Sequence, residues 1–291
     1  MLVAIIGHNK FMTTQNNKKM NKLSIFFLGL LIFVSCTKTN VTPDNFTTTT
    51  ISLSTHKLAS FSIIKNTKYL IVFETGLGDD HLIWNQKNLP TTISAKEDVL
   101  LYDRAGYGKS EKGPAPRNIQ KLSNELDSVI NKCANGRKVI LVGHSIAGMI
   151  IRDYAIKNPS KTAGILFIDP SHEAYNNPTQ AQEDLIYNTF LSSNGANFGA
   201  TMEARELIED SQYMATLSNL PNVPVIVLTS MKVDASHNIA DRQSWFNSHE
   251  LLNTGVTDFT HITTTNSGHY IFLDEANLVL DNLNLLISKL P

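Results

Sequence analysis

The chain has 291 residues, with 25 Lys and Arg against 26 Asp and Glu, a formal net charge of −1 and 42% hydrophobic residues. A near-neutral balance with no long charge block excludes a nucleic-acid-binding role built on phosphate contacts. No internal repeat points to a solenoid or a propeller.

The first acidic residue is Asp44, and Lys10, Lys18, Lys19 and Lys22 precede it. The apolar run 25–34 follows these lysines. It is too short for a membrane-spanning helix, which needs roughly 20 residues. A basic segment, a short apolar segment and then small residues describe a secretory signal. The run ends Phe33-Val34-Ser35-Cys36, which resembles a bacterial lipobox. That resemblance implies that Cys36 becomes the lipidated first residue of the mature protein. Residues 1–36 are therefore expected to be a signal segment, with a compact version starting at Met20. The implied partner is a membrane, reached through an N-terminal lipid anchor in the bacterial cell envelope and facing the periplasm or exterior. If Cys36 carries lipid, Cys133 has no intrachain partner and reads as a packing residue. The Thr- and Asn-rich residues 37–50 are expected to be a flexible tether.

The domain expected at 51–291 is long enough for one large core. Strands are predicted over 50–54, 57–64, 69–73, 98–102, 139–142, 164–168, 223–228 and 259–264. The first two are so close that they predict an antiparallel hairpin at a sheet edge. Continuous apolar runs such as Val139-Ile140-Leu141-Val142 suit strands buried on both faces of a parallel sheet. Helices are predicted over 119–133, 146–158, 241–252 and 274–290; Leu122, Leu126, Val129 and Ile130 recur at helical spacing. The alternation predicts an α/β fold, a mostly parallel eight-stranded sheet flanked by helices. One stretch, about 171–220, has no strand pattern. Its helical patterns at 180–190 and 202–217 predict a cap over the C-terminal edge of the sheet.

Ser145 sits where the run 139–142 meets a helical pattern, in Gly143-His144-Ser145-Ile146-Ala147-Gly148. This is the sequence form of a nucleophile elbow, a tight strand-to-helix turn that exposes a hydroxyl. The usual pattern has Gly two residues after the Ser; here Ala147 holds that place and the Gly is displaced to 148. Three further segments stand in order around it. They are Phe73-Glu74-Thr75-Gly76-Leu77-Gly78-Asp79-Asp80 followed by Trp84, Tyr102-Asp103-Arg104-Ala105-Gly106-Tyr107-Gly108-Lys109-Ser110, and Ser267-Gly268-His269-Tyr270. Over roughly residues 55–291 the chain resembles the α/β-hydrolase superfamily in its capped, small-substrate branch. The resemblance implies an α/β-hydrolase fold with a helical cap insertion.

Ser145 is the expected nucleophile and His269 the expected general base, on a turn just before the last helix. The acid should follow Ser145 and precede His269. Asp234, after the strand at 223–228, fits that order and is the first choice. Asp169, at the end of 164–168, is the rival, and Asp241 reads as a helix N-cap. The backbone amides of Leu77 and Ile146 are the expected oxyanion hole. Glu74 reads as a group that organises the oxyanion loop. Asp103 and Arg104 read as a pair holding the Gly106-Tyr107-Gly108 loop. Tyr175, Tyr187, Phe190, Phe198, Met202, Tyr213 and Met214 of the cap either line a pocket or form the cap's own core. No metal site and no cofactor is implied.

The expected reaction is hydrolysis of a small carboxylic ester through an acyl-enzyme. The alternatives are a peptidase or amidase, a lactonase or a C–C hydrolase of the same fold, and then a non-catalytic envelope binding protein. A peptidase taking a free amine needs a carboxylate in the cap, for which Glu203, Glu206, Glu209 and Asp210 are candidates.

Overall fold

The computed structural model describes residues 46–291. The predicted signal segment, Cys36 and most of the predicted tether lie outside these residues. Eight strands form one sheet: β1 (Thr47–Ser52), β2 (Lys57–Ile63), β3 (Leu70–Glu74), β4 (Asp98–Tyr102), β5 (Val139–His144), β6 (Thr162–Ile168), β7 (Val225–Ser230) and β8 (Phe259–Thr264). Their spatial order is β1-β2-β4-β3-β5-β6-β7-β8. β1–β2 and β2–β4 pair antiparallel, and every other neighbour pairs parallel.

The predicted edge hairpin is present, but it starts earlier than expected. The threonines read as the end of a tether are β1, with Thr47 opposite Ser62 and Ile51 opposite Leu58. Of the six residues only Ile51 is buried. An edge strand that is mostly exposed needs few apolar residues. Its ladder to β2 and the β-branched threonines hold it extended.

The central strands divide their side chains between two cores. On one face Leu70, Val72, Leu141, Phe167 and Val227 pack with Leu122, Leu126, Ile150 and Tyr154. On the other, Ile71, Phe73, Val142, Leu166 and Ile226 pack with Trp84, Phe272, Val279 and Leu283. This period-2 split inside continuous apolar runs is what burial on both faces requires. Burying each aliphatic side chain contributes roughly 1.5–3 kcal/mol before ordering costs.

The helices are α1 (Leu82–Asn85), α2 (Leu89–Ile93), α3 (Ile119–Cys133), α4 (Ala147–Lys157), α5 (Gln180–Asn194), α6 (Gly199–Glu203), α7 (Leu207–Met214), α8 (Ile239–Glu250), α9 (Ile271–Asp274) and α10 (Ala276–Ser288). Among the described residues, no helix is long and apolar enough to cross a membrane. α8 starts two residues before the prediction. Its N-cap is Asn238, and Asp241, expected to be the cap, is the reciprocal member of the capping box at N3. The cap insertion lies between β6 and β7 and consists of α5, α6 and α7. The single helix predicted over 202–217 is broken into α6 and α7. The two pieces are pinned to the body separately, Glu203 to Arg104 and Asp210 to the Ile119 N–H.

The parallel strands bring four loops to one edge of the sheet. They follow β3, β5, β6 and β8, and they carry Leu77, Ser145, Asp169 and His269 respectively. Ligand sites of open α/β sheets form at this carboxyl edge.

Candidate active site

Ser145 follows the last residue of β5 and has φ 58°. A left-handed backbone costs a non-glycine residue about 1–2 kcal/mol. Such strain persists only where the surroundings hold it. Here the elbow is tied on both sides. Ser145 N–H donates to Ile168 O at 3.3 Å, and Ser145 O accepts from Gly148 N–H at 2.9 Å and from Ser171 N–H at 2.8 Å. The small residues around it have specific neighbours. A Cβ on Gly143 would lie 3.1 Å from Ala147 O, so these two backbones do touch across the turn. A Cβ on Gly148 would lie 2.4 Å from Pro170 Cβ. The displaced glycine thus lets the loop after β6 close onto α4.

That loop carries Asp169, the carboxylate that meets His269. His269 Nδ1 lies 2.7 Å from Asp169 Oδ2, across 100 residues of sequence. Asp169 is fully buried and has φ 45°. Its other oxygen accepts from Ser230 N–H at 2.8 Å and Trp245 Nε1–H at 2.7 Å. Burial alone would push this carboxyl up, but the hydrogen bond and charge of His269, helped by His249 and Trp245, hold it below its ordinary value. Behind it, His249 Nε2–H donates to Pro170 O at 2.7 Å. His249 Nδ1 must then accept from Thr229 Oγ1, and the Thr229 oxygen accepts in turn from His261 Nε2.

The structure does not bring Asp234, the first choice from the sequence, to His269; Asp169, the rival, is the carboxylate that meets it. Asp234 is exposed and bonds locally, to His237 Nδ1 at 3.0 Å and to the N–H groups of Ser236 and His237. It lies four residues beyond the end of β7, in a turn that closes on itself. What the end of β7 supplies is the Ser230 N–H to Asp169. Asp169 directly follows the last residue of β6, the strand beside β5. That placement was the available sequence signal.

His269 Nε2, the nitrogen facing away from Asp169, is buried without a hydrogen-bond partner among the described residues. His144 does not turn back onto Ser145. Its Nε2–H donates to His269 O at 3.0 Å, and its ring packs 4.5 Å from that of His269. Burial first, then the nearby His269, pushes His144 well below the ordinary imidazole value. The neutral ring therefore supports the His269 loop without adding charge.

Leu77 and Ile146 line one pocket with Ser145. Arg104 shapes the loop that carries Leu77. Its NH1 donates to Thr75 O at 2.7 Å and Glu74 Oε1 at 2.8 Å, and its NH2 donates to Gly76 O at 2.9 Å. Glu74 also accepts from Tyr102, which completes its reading as a loop organiser. Arg104 reaches further, to Glu203 of α6 through Nε at 2.9 Å and NH2 at 3.0 Å. It therefore clasps the Leu77 loop to the cap and is not the partner of Asp103. Asp103 holds the glycine loop without it, accepting from Lys109 N–H at 2.8 Å and His81 N–H at 3.0 Å. Glu203 was legible only as one of several cap acids.

Arg104→Met would leave Glu74 and Glu203 buried without their cation. The expected loss is about 3–5 kcal/mol, read by urea unfolding. A loss under about 1 kcal/mol, the scale of an exposed pair, would show that the clasp does not hold the fold.

The pocket is lined by Leu77, Ile146, Met149, Pro178, Ile186 and Leu207, with Ser145, Ser171, Asn176 and Asp210 as its polar members. None of the seven cap aromatics and methionines lines it. Met214 is in the main core, Phe198 packs on Tyr107 and Phe190, and Tyr187 lies under Arg205. Among the described residues, Asp80, His81 and Asp103 bring potential ligand atoms within 4.8 Å of one another. Both Asp103 oxygens are already engaged there, and His81 stacks on Phe61.

Comparison with known proteins agrees with this fold. Residues 69–222 match the model of a family described as alpha/beta hydrolase fold. YqjL, an uncharacterized protein of Bacillus subtilis, is 27% identical over 213 residues, 72% of this chain and 79% of that protein. A thermophilic esterase from Thermogutta terrifontis superposes with a TM-score of 0.64 at 15% identity, over 84% of this chain and 98% of that one. Alpha/beta hydrolase domain-containing protein 10 from mouse gives 0.63 at 18% identity, over 84% and 99%. The match spans more than half of the sequence and includes the Ser145 turn, the Leu77 loop and all three cap helices, and on that basis the chain belongs to the alpha/beta hydrolase fold family.

Proposed function

We propose that the protein is a serine hydrolase that cleaves small carboxylic esters through an acyl-enzyme on Ser145. One observation carries the reading: a serine held at φ 58° on the elbow, in one loop cluster with a histidine 2.7 Å from a buried aspartate. Ser145 Oγ attacks the ester carbonyl carbon while His269 Nε2 takes its proton. Asp169 fixes the tautomer with the proton on Nδ1 and stabilises the imidazolium. The N–H groups of Leu77 and Ile146 receive the tetrahedral oxyanion. His269 then gives its proton to the departing alkoxide, which leaves as the alcohol. Water, deprotonated by the same nitrogen, attacks the acyl-enzyme and releases the acid.

The pocket supports a short acyl group. The cavity beside Ser145 is small, about 40 Å³. A fluorophosphonate probe should label the purified protein once, with the adduct on Ser145 by peptide mass spectrometry. Turnover of p-nitrophenyl esters should fall from acetate and propionate to octanoate. Absence of labelling would sink the hydrolase reading, and a preference for octanoate would sink the short-acyl reading.

The N-terminal reading joins this proposal. A lipid on Cys36 would hold the enzyme at the membrane of the cell envelope. Cys36→Ser should then move the protein from the membrane to the soluble fraction on cell fractionation, and retention at the membrane would overturn the lipid anchor.

A further inference from the structure

We propose that Asp210 binds a protonated amino group on the substrate of Ser145, a reading that rests on Ser145 being the nucleophile. Asp210 is in the cap helix α7, is 2% exposed, and lines the same pocket as Ser145. Its two oxygens differ. Oδ1 accepts from Ile119 N–H at the start of α3 at 2.7 Å. Oδ2 is buried and has no hydrogen-bond partner among the described residues. Other buried carboxylates of this protein engage both oxygens: Glu74 with Arg104 and Tyr102, Asp103 with His81 and Lys109, Glu203 with Arg104 and Tyr107, and Asp169 with His269 and Trp245. A purely structural acid would be expected to resemble these, because leaving a buried polar atom without a partner is costly.

The surroundings select the sign of the missing partner. Asp210 is faced by Glu206 and Glu209 from its own helix and the turn before it, and by Glu203 from α6. From α3 it receives only a neutral N–H. The buried guanidinium groups of Arg117 and Arg104 pair with other carboxylates, Arg117 with Glu125 and Arg104 with Glu74 and Glu203. A cationic donor is therefore the group that satisfies both the unpaired oxygen and the surplus of negative charge. Burial, opposed by the Ile119 N–H and reinforced by the three glutamates, pushes the Asp210 carboxyl up to about 8. In the free pocket at neutral pH the acid mostly holds its proton, and an ammonium that binds there drives it off. The apolar wall formed by Met149, Ile186 and Leu207 takes the short carbon skeleton between the amine and the scissile carbonyl. The substrate class is a small aminoacyl ester or amide with a free amine.

The test compares p-nitrophenyl esters that differ in one group: alanyl, lactyl and propionyl, carrying an ammonium, a hydroxyl and a hydrogen. Beyond the ratio of their uncatalysed hydrolysis rates, the unmodified protein should prefer alanyl over propionyl by roughly 10- to 100-fold in kcat/KM, the range of one charge-assisted hydrogen bond. Asp210→Asn keeps an acceptor for Ile119 N–H, and its alanyl-to-propionyl ratio should fall roughly 10- to 100-fold, to that of the uncatalysed hydrolysis. A structural role predicts that this variant unfolds more easily. The binding role predicts the reverse. An acid whose native pKa is raised adds stability only at low pH and loses it as pH rises through the native value. The gain in melting temperature on removing Asp210 should therefore widen from pH 5 to pH 8. Binding of propylamine to the unmodified protein should release protons, seen by calorimetry in two buffers of different ionisation enthalpy. Propionyl turnover with no alanyl preference overturns the role of Asp210 and leaves the hydrolase reading standing. Equal preference for lactyl and alanyl overturns the ammonium. Failure of every ester and of the fluorophosphonate label removes the nucleophile and this inference with it.

Discussion

Ser145→Ala should lower kcat for p-nitrophenyl acetate by roughly a millionfold, the loss typical of removing a serine nucleophile. The substitution deletes one oxygen and keeps the backbone that accepts from Gly148 and Ser171, so folding should survive. The same position carries a second expectation that is independent of activity. Ser145 has φ 58°, and alanine inherits that strain whereas glycine does not. Ser145→Gly should be equally inactive yet about 1 kcal/mol more stable than Ser145→Ala, read by thermal unfolding. Equal stability of the two variants would show that the elbow stores no strain. Activity in Ser145→Ala within a hundredfold of the unmodified protein, far short of the loss expected, would remove Ser145 as nucleophile.

Asp169→Asn should lower kcat by roughly 10⁴-fold, because the amide no longer holds His269 in the tautomer that can accept from Ser145. Asparagine suits this test, since it tolerates the left-handed backbone at φ 45°. Asp234→Asn is the matched control. It alters an exposed turn bonded to His237, and kcat should stay close to that of the unmodified protein. The opposite ranking would restore Asp234 as the acid. The charge on Asp169 also contributes stability. Its native pKa is depressed, so that contribution is present above the ordinary carboxylate value of about 3.9 and is lost as pH falls through the native one. The asparagine variant should therefore lose less stability on acidification below pH 4.

Much of the fold was legible because its signals are local. Val139-Ile140-Leu141-Val142 and the similar run at β7 gave both the strands and their parallel, doubly buried setting. Leu122, Leu126, Val129 and Ile130 marked the buried face of α3, and all four are buried. The boundary at β1 was missed because an edge strand can be built from threonines, and composition then resembles a linker. The cap's broken helix was missed because the break serves two tertiary anchors, Glu203 to Arg104 and Asp210 to Ile119, which no periodicity encodes. The small residues of the elbow, Gly143, Ala147 and Gly148, are visible in the sequence. The partner that requires glycine at 148, Pro170, was visible only once the loop after β6 lay against α4.

By itself the sequence determined the strand–helix alternation, the turn that presents Ser145, and the loops that carry Leu77 and His269. Each of these depends on neighbours within a few residues. Only the tertiary structure decided which acid meets His269, where Arg104 turns, and which cap residue faces the pocket. Asp169 and His269 are 100 residues apart and come within 2.7 Å because β6 lies beside β5 and the loop after β8 folds back over that edge. Asp234 satisfied the same chain order. Lateral strand order and burial, which make one carboxylate a partner of the imidazole and leave the other in water, are properties of the assembled sheet.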